Sequence, residues 1–261
     1  MSRLPALFIS HGSPMLAIED SPARRFLLEL GNTLPRPRAI VVASAHWETS
    51  GGPAVSLAPQ PETIHDFGGF PPALFAIQYP ARGAPEVAGR AAALLEQAGY
   101  AVARSLDRGL DHGAWVPLRL MYPQADIPVT QLSVLRGESP AAHLALGAAL
   151  SALRDDGVLV IGSGSLTHNL HEFRGQGIAA PVPGWVSEFG DWMHAMLRQN
   201  QRAALLDYRR QAPHAARNHP SEEHLLPLFV AMGAGGEAAQ AKRLHASYEY
   251  GVLAMDVYAF S

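Results

Sequence analysis

The sequence predicts an α/β protein in which two helical layers enclose a largely parallel or mixed central sheet. Short apolar segments alternate with longer helix-like segments along the chain, and this alternation favours a sheet covered by helices on both faces. The 261 residues contain no internal repeat, no low-complexity tract and no linker-like change in composition. We therefore expect a single domain that spans residues 1–261.

Short apolar segments bounded by small or polar residues predict the strands. The segments that begin at Ala6, Ala39 and Val158 are the clearest, and each ends shortly before a histidine. Runs of this kind are typical of strands that are buried on both faces. The predicted strands cover residues 6–10, 39–44, 54–58, 100–104, 128–134, 158–161, 243–248 and 252–260.

Helices are predicted where a longer segment has both a start signal and a stop signal. Ser21 is a suitable N-cap, Pro22 fits the first helical position and Gly31 fits the end of the helix. Residues 59–83 carry many proline, glycine and aromatic residues without clear periodicity, which favours a functional loop. The predicted helices cover residues 21–31, 85–99, 139–154, 185–206 and 222–232.

The composition excludes several classes of partner and site. Hydrophobic residues make up 48% of the chain and charged residues 16%, which is typical of a well-buried globular protein. The formal net charge of −3 argues against nucleic acid as a partner, because no basic surplus is present to neutralise phosphates. The chain has no cysteine, so disulfides and thiolate metal sites are excluded and a cytoplasmic protein is expected.

The apolar segments are too short for targeting or membrane insertion. The N-terminal stretch lacks the length of a signal peptide, and no run approaches the roughly 18 apolar residues of a membrane span. We therefore expect no membrane partner. The sequence leaves the oligomeric state open, and a homo-oligomer is compatible with it.

Histidines follow three of the predicted strands. His11 comes directly after the first strand, His46 follows the second, and His168 follows the strand at 158–161 and a glycine–serine turn. Ligands of open α/β sheets bind outside the carboxyl ends of the strands, and imidazole is the commonest metal ligand in proteins. The sequence therefore predicts a metal centre at this edge of the sheet.

A further histidine, His224, offers a ligand from a distant part of the chain. Glu222 and Glu223 precede it, although acidic residues are also common in the first turn of a helix. Three histidines would suit zinc, whereas two histidines and one carboxylate would form the facial triad of non-haem Fe(II) oxygenases. The sequence leaves the third ligand open. His168 is predicted to be either a fourth ligand or an acid–base group.

The other histidines have weaker signals. His112 has a carboxylate beside it in Asp-His-Gly-Ala-Trp, which favours a position at the lip of a pocket, with a buried structural role as the alternative. His65 in the long loop is either a substrate-binding lid residue or an ordinary loop group. The Gly-Ser-Gly sequence at 162–164 is a weak phosphate signal, because the Walker lysine is absent. Structural or surface roles are expected for His143, His171, His194, His214 and His245.

Six motifs carry a resemblance to a known family. They are HGSPM at 11–15, SAHWE at 44–48, TIHDFGGFP at 63–71, DHGAW at 111–115, THNL at 167–170 and PSEEHLLPL at 220–228. In this order and over nearly the whole chain, they resemble the 4,5-DOPA extradiol dioxygenases, a branch of the class III, LigB-type extradiol ring-cleavage dioxygenases. The resemblance implies a LigB-like α/β fold and a catechol (DOPA-like) substrate that is cleaved with O₂.

The resemblance also implies roles for individual residues. It implies one divalent metal ion held by His11, His46 and His224, with His168 on or near the metal and His112 at the substrate pocket. The wider superfamily often uses a glutamate as third ligand, whereas the matching stretch here carries Glu-Glu-His. That departure leaves the third ligand and the metal identity open.

The chemistry that the resemblance implies needs a redox-active metal. Fe(II) can exchange electrons between a catecholate and O₂, and zinc has no accessible redox change. His112 and His168 are the predicted base and acid, in an order that the sequence does not decide. Zinc is nevertheless expected in protein purified in air, because it outcompetes Fe(II) at imidazole sites. The rival interpretations are a zinc hydrolase with Glu222 or Glu223 as general base, and a catalytically silent metal-binding homologue.

Overall fold

A mixed sheet of eight strands lies at the centre of the computed structural model, which describes residues 3–261. The first two residues, which the predicted domain includes, lie outside the described part of the chain. The strands are β1 (Ala6–Ser10), β2 (Ala39–Thr49), β3 (Ala54–Ser56), β4 (Ala103–Ser105), β5 (Val129–Leu135), β6 (Val158–Gly164), β7 (Ala241–His245), β8 (Tyr248–Glu249), β9 (Leu253–Ala254) and β10 (Val257–Phe260).

The order of the strands in the large sheet is β4-β3-β5-β2-β6-β1-β10-β7, and β8 pairs with β9 separately. The four central strands, β5, β2, β6 and β1, run parallel to one another. Antiparallel pairs join β3 to β5 and β10 to both β1 and β7. Because parallel neighbours end at the same edge of the sheet, the carboxyl ends of β2, β6 and β1 lie side by side.

Helices cover both faces of this sheet. They are α1 (Pro22–Thr33), α2 (Pro72–Phe75), α3 (Pro85–Gln97), α4 (His112–Met121), α5 (Pro140–Ala149), α6 (Gly184–Arg198), α7 (Arg202–Leu206), α8 (Tyr208–Gln211), α9 (Ala215–Asn218) and α10 (Leu226–Gly235). Short 3₁₀ helices occur at Pro14–Ala17, Ser151–Arg154 and Leu170–Glu172. None of these helices has both the length and the apolar character needed to cross a membrane.

Alternate side chains of the central strands enter two separate hydrophobic clusters. In β1, Phe8 packs into a cluster with α3, α5, α6 and α10, whereas Leu7 and Ile9 pack into a cluster with α1 and α4. All three side chains are fully buried. Burial on both faces explains the continuous apolar runs of these strands, and the predicted three-layer α/β/α fold with a mixed sheet is confirmed.

Most predicted strands are present, with shifted ends, but the strand predicted over 252–260 is divided into β9 and β10, which lie in different sheets. The largest shift concerns β2, which was predicted to end at Ser44 but continues to Thr49. Its pairing with β5 is irregular between Ser44 and Glu48, as in a β-bulge, which re-aims side chains at the edge of a sheet. His46 therefore lies within the irregular part of the strand and not in a loop beyond it.

Two predicted helices need correction, and one helix was missed. The predicted helix over 185–206 is interrupted, because Asn200 between α6 and α7 adopts a left-handed conformation with φ of 51°. The helix predicted over 222–232 begins only at Leu226, with Pro227 in its first turn, where the missing N–H of proline does no harm. Helix α4 was not predicted. Its N-cap Asp111 was a usable signal, but Gly113 and Pro117 inside the helix obscured it.

Candidate metal centre

Three imidazoles face one another at the carboxyl edge of the sheet. Nε2 of His46 lies 3.1 Å from Nε2 of His11 and 3.3 Å from Nε2 of His224. One nitrogen from each of the three rings falls within 4.8 Å of the others. The structure thus brings together three of the sequence-predicted ligands, although they come from distant parts of the chain.

Two of these histidines are positioned by the parallel strands. His11 directly follows β1, and its main-chain N–H donates to the carbonyl of Gly164 at the end of β6 (2.9 Å). His46 lies in the irregular end of β2, on the other side of β6. Their rings meet over the end of the central strand, with centroids 5.0 Å apart.

His224 reaches the site because α10 packs directly on β6. A Cβ on Gly162 would lie 2.0 Å from the carbonyl oxygen of Pro227, and a Cβ on Gly164 would lie 2.0 Å from that of His224. The main-chain N–H of Ser165 donates to the same His224 carbonyl (2.8 Å). The two glycines therefore serve close backbone packing, which gives the Gly-Ser-Gly sequence a role that needs no phosphate.

We predict that Gly164→Ala weakens both the fold and metal binding. The added methyl would force the His224 carbonyl away from β6, and overpacking of this kind typically destabilises a protein by about 1–3 kcal/mol. Gly89→Ala is the matched control, because Gly89 is a helical position with nothing within 4 Å of the added Cβ. Denaturant unfolding and Zn(II) titration measure the two effects. A Gly164→Ala protein with the stability and zinc affinity of Gly89→Ala would contradict this account of the packing.

The three nitrogens fit a single divalent ion. Two ligands at about 2.0–2.1 Å from one ion, at angles between octahedral and tetrahedral, lie roughly 2.9–3.4 Å apart. The observed separations of 3.1 and 3.3 Å fall in that range. The donor set contains imidazoles alone, which suits zinc, copper, iron or nickel.

Oxygen acceptors lie at the opposite nitrogen of two of these rings. Nδ1 of His11 lies 3.0 Å from Oγ of Ser163, and Nδ1 of His224 lies 3.0 Å from Oε1 of Glu223. The Ser163 hydroxyl donates to the carbonyl of Gly113, so it accepts from Nδ1–H of His11. These contacts hold the protons on Nδ1 and leave the Nε2 lone pairs directed at one another, as metal ligands require.

Burial keeps the three imidazoles neutral. The pKa values of His11 and His224 are well below the usual value of 6.5, because burial removes water from both rings and neighbouring histidines oppose a positive charge. Burial and the nearby His112 lower the pKa of His46 to about 4. Metal binding requires neutral imidazole, so the three rings need lose no proton near neutral pH.

His168 lies beside this cluster in a different orientation. Its ring stacks on the ring of His224 with centroids 3.6 Å apart and an interplanar angle of 7°. One of its ring nitrogens lies within 4.8 Å of ligand atoms of Glu223 and His224, and it is not part of the group that contains His11 and His46. Burial lowers the pKa of His168 to about 4, so its ring is neutral at pH 7.

His112 is held against the cluster by Asp66. Oδ1 of Asp66 accepts hydrogen bonds from the main-chain N–H of His112 (2.9 Å) and from its Nδ1 (3.0 Å). The ring centroid of His112 lies 4.0 Å from that of His46. Burial alone would raise the pKa of Asp66, but the hydrogen bonds from His112 outweigh burial and lower the pKa to about 2.

A cavity of about 330 Å³ opens onto the histidines. Its wall is largely apolar and includes two phenylalanines from the predicted functional loop. Its size is in the usual range for small-molecule sites. The lining residues are Gly12, Ser13, Pro14, His46, Asp66, Phe67, Phe70, His112, His168, Leu170, His224 and Leu253.

The two glutamates beside His224 have other partners. Oε1 of Glu222 accepts a hydrogen bond from the hydroxyl of Tyr208 at 2.6 Å. Glu223 contacts Nδ1 of His224, on the side of the ring away from His46. Neither carboxylate belongs to the group formed by the three facing imidazoles.

The remaining predicted histidines lie away from the cavity. Nε2 of His65 pairs with the carbonyl of Ile77 (2.9 Å), and its ring packs edge-on against Phe67 and Trp115. It is not among the residues that line the cavity. His143 is fully buried and accepts from the main-chain N–H of Leu135, which is the structural role expected for it.

Sequence reasoning assigned no role to Ser163 or Asp66. Ser163 lay inside the Gly-Ser-Gly turn, and only the pairing of β6 with β1 places it beside His11. Asp66 was visible inside the motif TIHDFGGFP, next to glycine and aromatic residues. A carboxylate in such a loop is a usable signal for an acceptor of an imidazole N–H.

Comparison with known proteins assigns the chain to a family. Residues 5–260 match the family model of the catalytic LigB subunit of aromatic ring-opening dioxygenase. The chain belongs to the LigB family. A relative from Beta vulgaris, named 4,5-DOPA dioxygenase extradiol, is 44% identical over 97% of this chain and 95% of its own length. A protein of the same name from Escherichia coli (strain K12) is 43% identical over 89% of this chain and 86% of its own length.

The LigB fold is also present in a solved structure. The crystal structure of an uncharacterized Escherichia coli K12 protein matches with a TM-score of 0.82 and 35% identity, and it covers 99% of this chain and 100% of that one. LigB membership confirms the sequence-based predictions of the family, of the α/β fold and of a metal-dependent ring-opening dioxygenase. Together with the histidine cluster it supports a metal cofactor, a small-molecule substrate and O₂ as co-substrate.

Proposed function

We propose that this LigB-family protein is an Fe(II)-dependent extradiol dioxygenase that opens the ring of a catechol, with His11, His46 and His224 as the metal ligands. The convergence of three Nε2 atoms beside an apolar cavity carries the proposal. The curated relatives are named for a catechol amino acid, 4,5-DOPA, and a DOPA-like catechol is the substrate class proposed here.

The shape of the cavity supports an aromatic substrate. Phe67 and Phe70 line it beside the histidines, and aromatic rings pair favourably with one another in edge-to-face or offset geometry. Leu170 and Leu253 complete the apolar part of the wall. A catechol ring would be held between these side chains with its two hydroxyls directed at the histidine cluster.

The metal is proposed to be one divalent ion, Fe(II) in the working enzyme. Bound Fe(II) would supply the electron exchange between catecholate and O₂ that zinc cannot supply. Protein purified in air is nevertheless expected to contain zinc, because zinc generally binds imidazole sites more tightly than Fe(II). A cytoplasmic location and the absence of nucleic-acid and membrane partners stay predictions of the sequence, and the oligomeric state stays open.

His112 and His168 are proposed to transfer protons during ring opening. Both line the cavity. Nδ1–H of His112 donates to Asp66, so its Nε2 is left free to accept a proton from a catechol hydroxyl. His168 is neutral at pH 7, because burial lowers its pKa to about 4. It could likewise take a proton and return it to the opened product.

The stacking of His168 favours proton transfer over metal binding. The nitrogen lone pairs of an imidazole lie in the plane of its ring. The rings of His168 and His224 are nearly parallel and 3.6 Å apart, so their lone pairs would not both be directed at one ion. We therefore propose His168 as an acid–base group, with a fourth-ligand role as the alternative.

The hydrolase alternative has less support. It requires a glutamate placed to activate a water beside the metal. Glu222 is hydrogen-bonded to Tyr208, and Glu223 lies at the far nitrogen of His224. Neither carboxylate is among the residues that line the cavity with His46, His112 and His224.

Oxygen consumption tests the proposal. Metal-free protein loaded anaerobically with Fe(II) is expected to consume one O₂ per catechol and to form a yellow ring-opened product. The same protein loaded with Zn(II) is expected to be inert, because zinc cannot change oxidation state. The panel should include DOPA, dopamine and 4-methylcatechol. Equal cleavage by rigorously iron-free zinc protein would refute the mechanism, and hydrolase activity without oxygen demand would favour the rival class.

A further inference from the structure

We propose that Asp66 is a positioning residue that orients two histidines at once, the proposed ligand His46 and the proposed proton carrier His112. This inference rests on the proposed function. It assigns a role to a carboxylate of the loop between β3 and α2, a segment that contains none of the proposed ligands. Asp66 is proposed to affect metal binding and turnover only by holding the rings of His46 and His112 in place.

One oxygen of Asp66 fixes the tautomer of His112. Oδ1 lies 2.9 Å from the main-chain nitrogen of His112 and 3.0 Å from its Nδ1. A carboxylate only accepts hydrogen bonds, so Nδ1 of His112 must carry the proton. The lone pair then resides on Nε2. This is the tautomer that a base facing the cavity needs, and two hydrogen bonds to one oxygen also fix the rotation of the ring.

The other oxygen of Asp66 faces His46. Oδ2 lies 3.4 Å from Nδ1 of His46, while Nε2 of the same ring lies 3.1 Å from Nε2 of His11. The ring of His46 is thus placed between the carboxylate and the three facing nitrogens. An anion at Nδ1 favours the proton on that atom and raises the basicity of Nε2, as carboxylates do behind metal-bound histidines.

Glu223 provides an internal comparison. It accepts from Nδ1 of His224 at 3.0 Å and lies within 4.8 Å of a nitrogen of His168, but it is hydrogen-bonded to no second histidine of the site. Asp66 contacts both a proposed ligand and His112, and the adjacent Phe67 packs edge-on against the His112 ring with centroids 5.6 Å apart. Substitution of either carboxylate is therefore expected to weaken metal binding, whereas turnover at saturating metal should depend mainly on Asp66.

Substitution of Asp66 should produce two separable defects. Loss of a partner behind a metal-binding histidine typically weakens metal affinity about 10–100-fold, and a loss of this kind is expected for both Asp66→Asn and Glu223→Gln. Only Asp66→Asn also frees His112, so kcat at saturating Fe(II) should fall by about 10²-fold or more. Glu223→Gln should show a much smaller loss of kcat once Fe(II) is saturating.

The experiment measures metal affinity and turnover independently. Affinity is read from chelator competition and from the visible spectrum of Co(II)-loaded protein, neither of which needs dioxygenase activity. Turnover is read as kcat and KM for the catechol at saturating Fe(II). Asp126→Asn is the matched control, because Asp126 is an exposed carboxylate paired with Arg36. Asp66→Ala removes both oxygens without adding an amide donor, and thermal unfolding shows whether each variant is folded.

A double-mutant cycle with His112→Ala isolates the second effect. If Asp66 acts on turnover through His112, Asp66→Asn should lower kcat little further in the His112→Ala background. Full metal affinity and full kcat in folded Asp66→Asn and Asp66→Ala would overturn the proposal. Equal, additive losses of kcat in both backgrounds would overturn the link to His112. If the wild-type protein binds Co(II) but cleaves no catechol, the proposed function fails while the affinity comparison still tests Asp66.

Discussion

His46→Ala is expected to abolish tight metal binding and, with it, catechol cleavage, while the chain remains folded. His46 is the middle member of the cluster, since its Nε2 lies 3.1 Å from that of His11 and 3.3 Å from that of His224. Its removal leaves only the Nε2 atoms of His11 and His224 as proposed ligands. We expect a loss of affinity greater than the roughly 10–100-fold that follows removal of an outer-shell partner.

The fold should tolerate this change because His46 is not part of either hydrophobic cluster. Its side chain lines the cavity wall and is partly exposed. Zinc titration, iron content and thermal unfolding of the metal-free protein measure the three expectations. His214→Ala is the matched control, because His214 is exposed and pairs with Glu188. Full zinc affinity in His46→Ala would remove this residue from the ligand set.

Alanine at His112 or His168 is expected to lower turnover with the metal still bound. General acid–base groups typically contribute about 10²–10⁴-fold to rate, and both rings line the cavity beside the proposed ligands. The measurement is kcat at saturating Fe(II), together with iron content per chain. We expect both variants to retain stoichiometric iron, because His11, His46 and His224 are unchanged.

His171→Ala is the control for this pair. His171 is exposed and lies in the short 3₁₀ helix just beyond His168, so its removal should leave kcat and iron content unchanged. Near-normal turnover in both His112→Ala and His168→Ala would assign these residues structural roles. Loss of iron from His168→Ala alone would instead make His168 a ligand and leave His112 as the main acid–base group.

Part of this site could be predicted from the sequence, because short apolar runs show where strands end and parallel strands end at the same edge of a sheet. The apolar runs before His11 and His46 predict buried strands, and they form β1 and the start of β2. Parallel strands end at one edge, so a histidine after each of two such strands predicts convergence. The same runs predict burial of both faces of the sheet, which the packing of Leu7 and Phe8 into opposite clusters confirms.

The sequence misplaced elements where local signals compete with packing. The start of α10 was predicted too early, because Glu222 and Glu223 resemble a first helical turn. In the folded chain Glu222 instead accepts a hydrogen bond from Tyr208, and Glu223 accepts one from His224. Helix α4 was missed because Gly113 lies inside it, and a Cβ at Gly113 would lie 2.6 Å from Oγ of Ser44. That requirement for glycine comes from a neighbouring strand and is invisible in the local sequence.

By itself, the sequence determined the layered α/β fold, the edge of the sheet that carries the site, and the histidines that could serve there. Apolar periodicity and residue chemistry encode these features locally. Only the tertiary structure decided which histidines lie together, since His224 is placed in the site by the close packing of α10 and the residues before it on Gly164. It also decided that Ser163 accepts a hydrogen bond from Nδ1 of His11 and that Asp66 accepts one from Nδ1 of His112. Such pairings depend on distances between segments far apart in the chain, which no local pattern records.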